Sequence, residues 1–207
     1  NRQYKAPCEN ACPSGIPVQE RWRLVREGRL DEAVDLALDF TPFPATVCGY
    51  LCPNPCMDAC TKSSFSMAPV DITKLGQASI GAGVGELPPL SGKRIAVIGG
   101  GPAGISLAWQ LRKMGHEATI FDDSPALGGK ISSVIPRSRI PKEVFEAEIE
   151  RVEKVIPKVQ MKKRLDRQAT QKLVDEYDFL VVAAGAQKPR SIPIPGAEVE
   201  ITPRRSP

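Results

Sequence analysis

Six cysteines are the residues best suited to chemistry in this chain, and all of them fall within its first 60 positions. Two lie in "PCENACP", and four lie well downstream in "CGYLCPNPCMDAC", where C-x3-C spacing is repeated three times: Cys8, Cys12, Cys48, Cys52, Cys56 and Cys60. Cysteine thiolates bind zinc or iron-sulfur clusters, and cysteines also pair as disulfides. The spacing therefore predicts a cysteine-based site whose chemistry lies among these three.

Disulfides and zinc are the less favoured of the three. Disulfides form in oxidising compartments, whereas we expect a cytosolic protein, because the sequence as it begins at Asn1 shows no leader pattern and a later glycine motif is typical of cytosolic nucleotide-binding enzymes. Structural zinc usually uses C-x2-C pairs, often with histidine, and the single histidine, His116, lies far from the cysteines in sequence. Zinc remains the alternative to an iron-sulfur cluster.

A proline follows two of the cysteines directly, at Cys12-Pro13 and at Cys52-Pro53. This arrangement resembles the C-P ending of bacterial ferredoxin motifs. Pro53 and Pro55 also prevent residues 48–60 from forming one continuous helix, although cysteines four apart would otherwise share a helical face. The sequence therefore favours a folded loop around an iron-sulfur cluster.

A second motif, "GGGPAG" at positions 99–104, supplies the spacing G-x-G-x-x-G. It follows the apolar segment "RIAVI" and opens a predicted helix, which is the context that indicates a dinucleotide-binding turn. In such a turn Gly99 permits the tight bend, Gly101 admits a pyrophosphate and Gly104 lets the helix pack on the sheet. Asp122, at the end of the next predicted strand, would bind an adenosine ribose and repel a 2′-phosphate, which leaves FAD or NAD.

Helices must bring the two cysteine groups together. In "IPVQERWRLVREG" the residues Val18, Trp22 and Val25 share a helical face, and Gly28 is placed to end the helix. A second helix is predicted in "RLDEAVDLALDF", ending before "TPFP". The two helices separate the cysteine groups in sequence, and the proline stop would return the second group to the first.

Positions 93–193 alternate between strand-like and helix-like segments. "RIAVI", "PAGISLAWQLRKMG" and "EATIF" form a predicted βαβ unit, and the later helix in "PKEVFEAEIERVEKV" precedes "TQKLVDEY" and a predicted buried strand, "DFLVVAAG". This order predicts a parallel sheet covered by helices. The Gly- and Pro-rich "GAGVGELPPLSGK" indicates a connector, so we predict two domains, 1–85 and 86–207.

Composition excludes two classes of partner. The net charge of +4 comes from 28 basic and 24 acidic residues that are scattered together, with no basic stripe for nucleic acid. No apolar run reaches the roughly 18 residues of a membrane span. We therefore predict a cytoplasmic protein with no nucleic-acid partner and no membrane span.

The motifs together resemble the glutamate synthase small-subunit family over almost the whole chain, in "PCENACPSGIPV", "CGYLCPNPCMDAC", "IAVIGGGPAGISLAWQLRKMGHEATIFD" and "LGGK". That family shares its N-terminal arrangement with dihydropyrimidine dehydrogenase. The resemblance implies an α+β multidomain fold, in which a small all-α iron-sulfur domain precedes an α/β Rossmann-like FAD-binding domain that is incomplete here. It also implies FAD as the nucleotide.

Carried over by position, the resemblance implies that Cys12, Cys52 and Cys56 bind one 4Fe-4S cluster. Cys8 and Cys60 match ligands of a second cluster, whose C-x2-C pair would fall at or before Gln3, so one cluster is expected and two are possible. Cys48 matches a family cysteine that need not be a ligand. The fourth ligand stays open among the region of Gly76 and Gln77, Cys8 and Cys60. The implied FAD contacts are Gly99, Gly101, Pro102, Ala103, Gly104, Asp122, Gly128, Gly129 and Lys130, with Arg139 as a further basic candidate.

The implied function is an electron-transfer oxidoreductase module that passes electrons between FAD and one or two 4Fe-4S clusters. Relatives carry an inserted NADPH domain and a closing FAD segment that this chain does not contain, so an NAD(P)H-binding portion and a partner redox subunit are expected elsewhere. The chain would be either a fragment or a split subunit. Two alternatives are a zinc-stapled nucleotide-binding interaction module without redox activity and an inactive piece that cannot retain FAD.

Overall fold

The structure, a computed structural model, describes residues 4–186 of the chain. Before position 94, every regular element in the described part is helical. The α-helices are α1 Pro7–Asn10, α2 Val18–Arg26, α3 Leu30–Asp35, α4 Pro44–Thr46, α5 Pro55–Asp58 and α6 Ile72–Ala78. Short 3-10 turns cover Leu36–Asp39, Thr61–Phe65 and Ser79–Gly81, and a π-helical turn covers Val47–Leu51.

Helix α2 ends as predicted but presents a different face. Gly28 has the left-handed φ of +75° that ends such a helix. The buried residues, however, are Val18, Arg21 and Leu24, whereas Trp22 is only half-buried. The predicted face of Val18, Trp22 and Val25 was therefore wrong in part, because Arg21 finds polar partners inside the domain.

After position 94 the chain forms a four-stranded sheet with helices. The strands are β1 Arg94–Ile98, β2 Glu117–Phe121, β3 Val159–Gln160 and β4 Phe179–Val182, and the helices are α7 Pro102–Lys113, α8 Lys130–Ser133, α9 Lys142–Val155 and α10 Arg167–Glu176. The order across the sheet is β3-β2-β1-β4, and every pair is parallel. The predicted helical part followed by a parallel α/β part is therefore confirmed.

Strand β4 forms as predicted, but the prediction that it is buried was wrong. It lies at one edge of the described sheet and pairs only with β1. Phe179 and Val182 are consequently 62% and 67% exposed. An apolar segment indicates a buried strand only where another layer covers it, and the described residues place no such layer over these two side chains.

One hydrophobic core joins the helical part to the sheet part. Trp109 of α7 is fully buried, and its indole N–H donates a 2.8 Å hydrogen bond to the Leu38 carbonyl. The rings of Phe43 and Phe145 stack with centroids 6.1 Å apart. None of the helices in residues 4–186 is long and apolar enough to cross a membrane.

Candidate functional site

Four of the six cysteines line a single small cavity in the helical part, which we call the cysteine cavity. Cys12 follows α1, Cys48 lies in the π-helical turn, Cys52 follows that turn and Cys56 lies in α5. The remaining lining is largely apolar, apart from the side chains of Arg21 and Asn54. The fold thus brings cysteines from both sequence groups to one place.

The backbone between Cys48 and Cys56 is broken where the prolines predict it. The N–H of Cys52 donates to the Val47 carbonyl at 2.8 Å and closes the π-helical turn, after which Cys52 adopts an extended conformation. Asn54 is left-handed, with φ of +57°, and its N–H donates to Sγ of Cys52 at 3.3 Å. The break lets successive thiols point into one cavity rather than along one helical face.

Burial raises the pKa of two thiols of the cysteine cavity, Cys48 and Cys56. It raises the pKa of Cys48 to about 12, although the nearby Arg21 guanidinium acts in the opposite direction. Burial likewise raises the pKa of Cys56 to about 11. Because iron and zinc bind the thiolate, a metal group must displace these protons when it enters the cavity.

Four thiols are a possible donor set for a single zinc ion or for a 4Fe-4S cluster. A tetrahedral zinc ion draws its sulfur ligands together around one centre, with Zn–S bonds of about 2.3 Å. Within residues 4–186, no three His, Cys, Asp or Glu side chains are placed to hold one metal ion. The same four cysteines would supply the thiolates that hold a 4Fe-4S cluster. All six cysteines, which lie in the described range, are free thiols.

Cys8 and Cys60 lie apart from the cysteine cavity. Cys8 is in α1, Cys60 follows α5, and these two helices pack together. Burial raises the pKa of Cys8, and the nearby charge of Glu9 acts in the same direction. Gln3, near the position where relatives carry a further cysteine, lies outside the described residues.

The non-cysteine candidates for the fourth ligand are not among the residues that line the cavity. Gly76 packs directly on the backbone of the π-helical turn, where a Cβ would lie 2.7 Å from the Cys48 carbonyl carbon. The Gln77 side chain donates to the Gly49 carbonyl at 3.4 Å. Cys48, rather than Gln77, is thus the fourth potential ligand that the cavity presents.

The glycine turn 99–104 connects β1 to α7 in the predicted context. Gly99 has a φ of +117°, and a Cβ there would overlap the Ala183 carbonyl that follows β4. A Cβ on Gly104 would overlap the Gly99 carbonyl oxygen. At Gly101, by contrast, the nearest atom to a Cβ is the Cα of Gly129, at 4.0 Å, which leaves the space that a phosphate needs.

A second glycine pair lies against this turn. The N–H of Gly128 donates to the Gly100 carbonyl at 2.8 Å, and a Cβ on Gly129 would lie only 2.8 Å from the Cα of Gly101. The predicted flavin contacts from "GGGPAG" and "LGGK" are therefore adjacent in space. The glycines of these two adjacent turns carry no side chains, so their backbone forms a surface that a dinucleotide can approach closely.

Asp122 lies at the end of β2 beside these turns. Its carboxylate accepts hydrogen bonds from the N–H of Gly100 and, at 2.7 Å, from the N–H of Ser124. Burial opposes ionisation, but these amides prevail and lower the pKa of Asp122. An ionised carboxylate at this position also retains lone pairs that can accept a ribose hydroxyl.

The other predicted contacts lie around the mouth of this region. Pro102 and Ala103 are exposed at the first turn of α7, where free amides and the helix dipole favour a phosphate. Lys130 begins α8 directly after Gly129 and is exposed, and Arg139 is also exposed. The structure thus places Lys130 beside the glycine turns. The N–H of Arg139 donates to the Pro136 carbonyl at 3.0 Å, away from those turns in sequence.

The fold, the cysteine cavity and the two adjacent glycine turns define the class of protein. It is a nucleotide-binding oxidoreductase of the flavoprotein type with a cysteine-rich helical domain. The chain belongs to the pyridine nucleotide-disulphide oxidoreductase family, whose model matches residues 93–205, more than half of its length. Residues 2–82 match the model described as dihydropyrimidine dehydrogenase domain II, 4Fe-4S cluster. The predictions of a 4Fe-4S cluster and of FAD are confirmed at the level of these families.

Three relatives show the range of enzymes that contain this arrangement. The chain is 32% identical over 203 residues to the glutamate synthase (NADPH) small chain of Mycobacterium tuberculosis, covering 93% of this chain and 41% of the relative. It is 27% identical to the NADPH-Fe(3+) oxidoreductase subunit beta of Geobacter sulfurreducens, covering 95% and 30%. It is also 27% identical to the NADP(+)-dependent formate dehydrogenase subunit beta of Moorella thermoacetica, covering 87% and 29%. The chain therefore spans less than half the length of these relatives.

Sequence reasoning missed three residues that the structure brings to the sites. Arg21 lines the cysteine cavity, and Asn54 donates to Cys52. Glu148 of α9 is fully buried and accepts from the N–H groups of Ala45 and Thr46. Arg21 lies three positions from both Val18 and Leu24, so a charged residue on the apolar face of α2 was a signal for it. The partners of Glu148 lie about a hundred positions away in sequence.

Proposed function

We propose that this chain is an electron-transfer module of a flavin and iron-sulfur oxidoreductase. The observation that supports this best is that Cys12, Cys48, Cys52 and Cys56, from two separate sequence groups, line one cavity in the same molecule as a double glycine turn. We assign one 4Fe-4S cluster to these four cysteines. Domain 1–85 would hold the cluster, and domain 86–207 would hold FAD.

The chain itself binds, positions and shields the two groups. FAD supplies hydride-linked two-electron chemistry and the cluster supplies one-electron transfer, so the protein contributes mainly position and electrostatics. The glycine turns at Gly101 and Gly129 would offer bare backbone to the FAD pyrophosphate, and Asp122 would accept a hydrogen bond from the ribose. The apolar lining of the cysteine cavity limits the access of water to the cluster.

The reductant and the partner lie outside the chain in this proposal. The relatives are named as a small chain and as beta subunits of NADPH- or NADP(+)-dependent enzymes. We propose by analogy that NAD(P)H is bound by a further portion or by another subunit, and that a partner redox subunit takes up or supplies the electrons. A cytoplasmic location fits six free thiols, since disulfides are rare in that compartment.

Anaerobic purification with iron, sulfide, zinc and flavin analysis of one sample tests this function. We expect a coloured protein with about four iron and four sulfide per chain, in line with one 4Fe-4S cluster, and with bound FAD. A protein that contains zinc and no iron would contradict the proposal and favour the interaction module. Loss of flavin during gel filtration without a partner, together with full iron, would contradict the FAD assignment alone.

A further inference from the structure

Arg21 is the one side chain with a fixed charge among the described residues that line the cysteine cavity. It extends from α2 and is fully buried, which is rare for arginine unless the charge is compensated. Its Nε donates to the Ala33 carbonyl at 2.6 Å, and its Nη2 donates to Oγ of Ser79 at 2.8 Å. These contacts are neutral, so they orient the guanidinium without balancing its charge.

The third nitrogen of the guanidinium lacks a partner. Within the described part of the chain, Nη1 of Arg21 is buried and makes no hydrogen bond. Arg21 lines the same cavity as Cys12 and Cys48. A buried donor without an acceptor destabilises a fold, so Nη1 needs an acceptor that the described residues do not supply.

We propose that Arg21 is the internal counter-ion of the cluster and directs its Nη1–H groups toward the cluster sulfur atoms. The inference rests on the proposed cluster at Cys12, Cys48, Cys52 and Cys56. Reduction adds one electron to the cluster and no proton leaves Arg21, so the cation stabilises the reduced form more than the oxidised form. In a buried site of low dielectric this raises the reduction potential, as hydrogen bonds to sulfur also do.

Redox titration of the full chain tests the role of Arg21. The variants are Arg21→Met, which removes the charge, and Arg21→Lys, which keeps it, with Arg23→Met as a control that removes the same charge from the exposed side of α2. Dithionite is the reductant, and EPR detects the reduced cluster. At a given solution potential, Arg21→Met should lower the ratio of reduced to oxidised cluster at least tenfold. For one electron this corresponds to a reduction potential about 59 mV lower than that of the wild type. Arg21→Lys should shift the reduction potential less than Arg21→Met does, and Arg23→Met should leave the potential unchanged. Full iron with an unchanged potential in Arg21→Met would overturn the proposal.

A measurement on the wild-type chain covers the case in which Arg21→Met does not load iron. With 15N-labelled arginine, pulsed EPR of the reduced protein should detect a guanidinium nitrogen coupled to the cluster, and this signal should disappear in Arg21→Lys. A reduced cluster without such a coupling would overturn the proposal. A wild-type chain without iron would instead overturn the cluster assignment itself, so the two failures are distinguishable.

Discussion

Cys52 shows how one side chain links the backbone to the metal chemistry. It follows the π-helical turn, precedes Pro53 and accepts an N–H···S hydrogen bond from Asn54 at 3.3 Å. The left-handed Asn54 aims that amide at sulfur because the proline prevents the helix from continuing. Of the cavity thiols, Cys52 is therefore the one whose position follows most directly from its neighbours in sequence.

Cys52→Ser should remove the cluster. Serine offers a hydroxyl in place of a thiolate, and even changes beyond the ligands cost about 10- to 100-fold in metal affinity, so we expect at least about a tenfold loss of iron. The measurement is iron and sulfide per chain after anaerobic purification. Cys60→Ser, outside the cysteine cavity, is the control and should keep its iron. Equal iron in both variants would refute the four-cysteine assignment.

Gly101 and Gly104 should respond differently to substitution, although they belong to one motif. A Cβ at Gly101 has no neighbour closer than 4.0 Å, so Gly101→Val should fold normally and lose FAD because the side chain takes the place of the phosphate. A Cβ at Gly104 overlaps the Gly99 carbonyl, so Gly104→Ala should lose about 1–3 kcal/mol of stability. Urea unfolding and flavin fluorescence separate the two effects. Full FAD occupancy in Gly101→Val would show that the turn was misinterpreted.

Helix α9 belongs to the sheet part yet supports the element that carries Cys48. Its Glu148 accepts from the amides of Ala45 at 2.7 Å and of Thr46 at 2.9 Å, at the start of α4. Helix α4 runs directly into the π-helical turn. The carboxylate thus caps the N-terminus of α4 from another helix. It links the nucleotide-binding part to the segment from Cys48 to Cys60, which we call the cysteine loop.

The pH dependence of stability should reveal Glu148. Burial raises its pKa, and the hydrogen bonds from Thr46 and Ala45 only partly offset this. A raised pKa in the folded state means that the contribution is complete below the unfolded pKa and is lost as the pH rises through the folded pKa. Between about pH 5 and 8, the wild-type free energy of unfolding should therefore fall relative to that of Glu148→Gln. Urea unfolding across that range measures the difference.

Glu146→Gln is the matched control for this effect. Glu146 lies on the same helix, is exposed, and forms an ion pair with Lys142 at 3.5 Å. Exposed pairs of this kind contribute about 0–1 kcal/mol, so this variant should follow the wild-type pH profile. If Glu148→Gln also followed the wild-type profile, the carboxylate would not titrate in the native state as its burial implies.

The two parts of the molecule share one core, so they should unfold together. Trp109 in α7 contacts Leu38, and Phe145 in α9 stacks on Phe43, which leads into the cysteine loop. Loss of packing in the helical part therefore removes neighbours from the sheet part. A continuous core would also hold the proposed cluster site and the proposed FAD site at a constant distance from each other.

Fluorescence can test this coupling, because the chain has two tryptophans. In a Trp22→Phe background the signal comes from Trp109, which is buried in the sheet part. Removal of the cluster by a chelator should lower the melting temperature reported by Trp109. The reason is that cluster binding stabilises the helical part, and Trp109 packs on that part. An unchanged Trp109 transition would indicate that the two parts unfold independently.

Sequence alone determined the features that depend on neighbours within a few positions. The glycine turn after β1, the end of α2 at Gly28 and the break at Pro53 follow from backbone sterics, which act locally, and the alternation of strands and helices follows from the periodicity of apolar residues. The family resemblance rested on the same short motifs.

Only the tertiary structure decided which residues face one another across long sequence separations. It placed Cys48 rather than Gln77 on the cysteine cavity, turned Arg21 inward, and left Phe179 exposed on β4. It also brought Glu148 to the start of α4. A buried charge or an exposed apolar side chain depends on what packs against it, and that is set by the whole chain rather than by its neighbours in sequence.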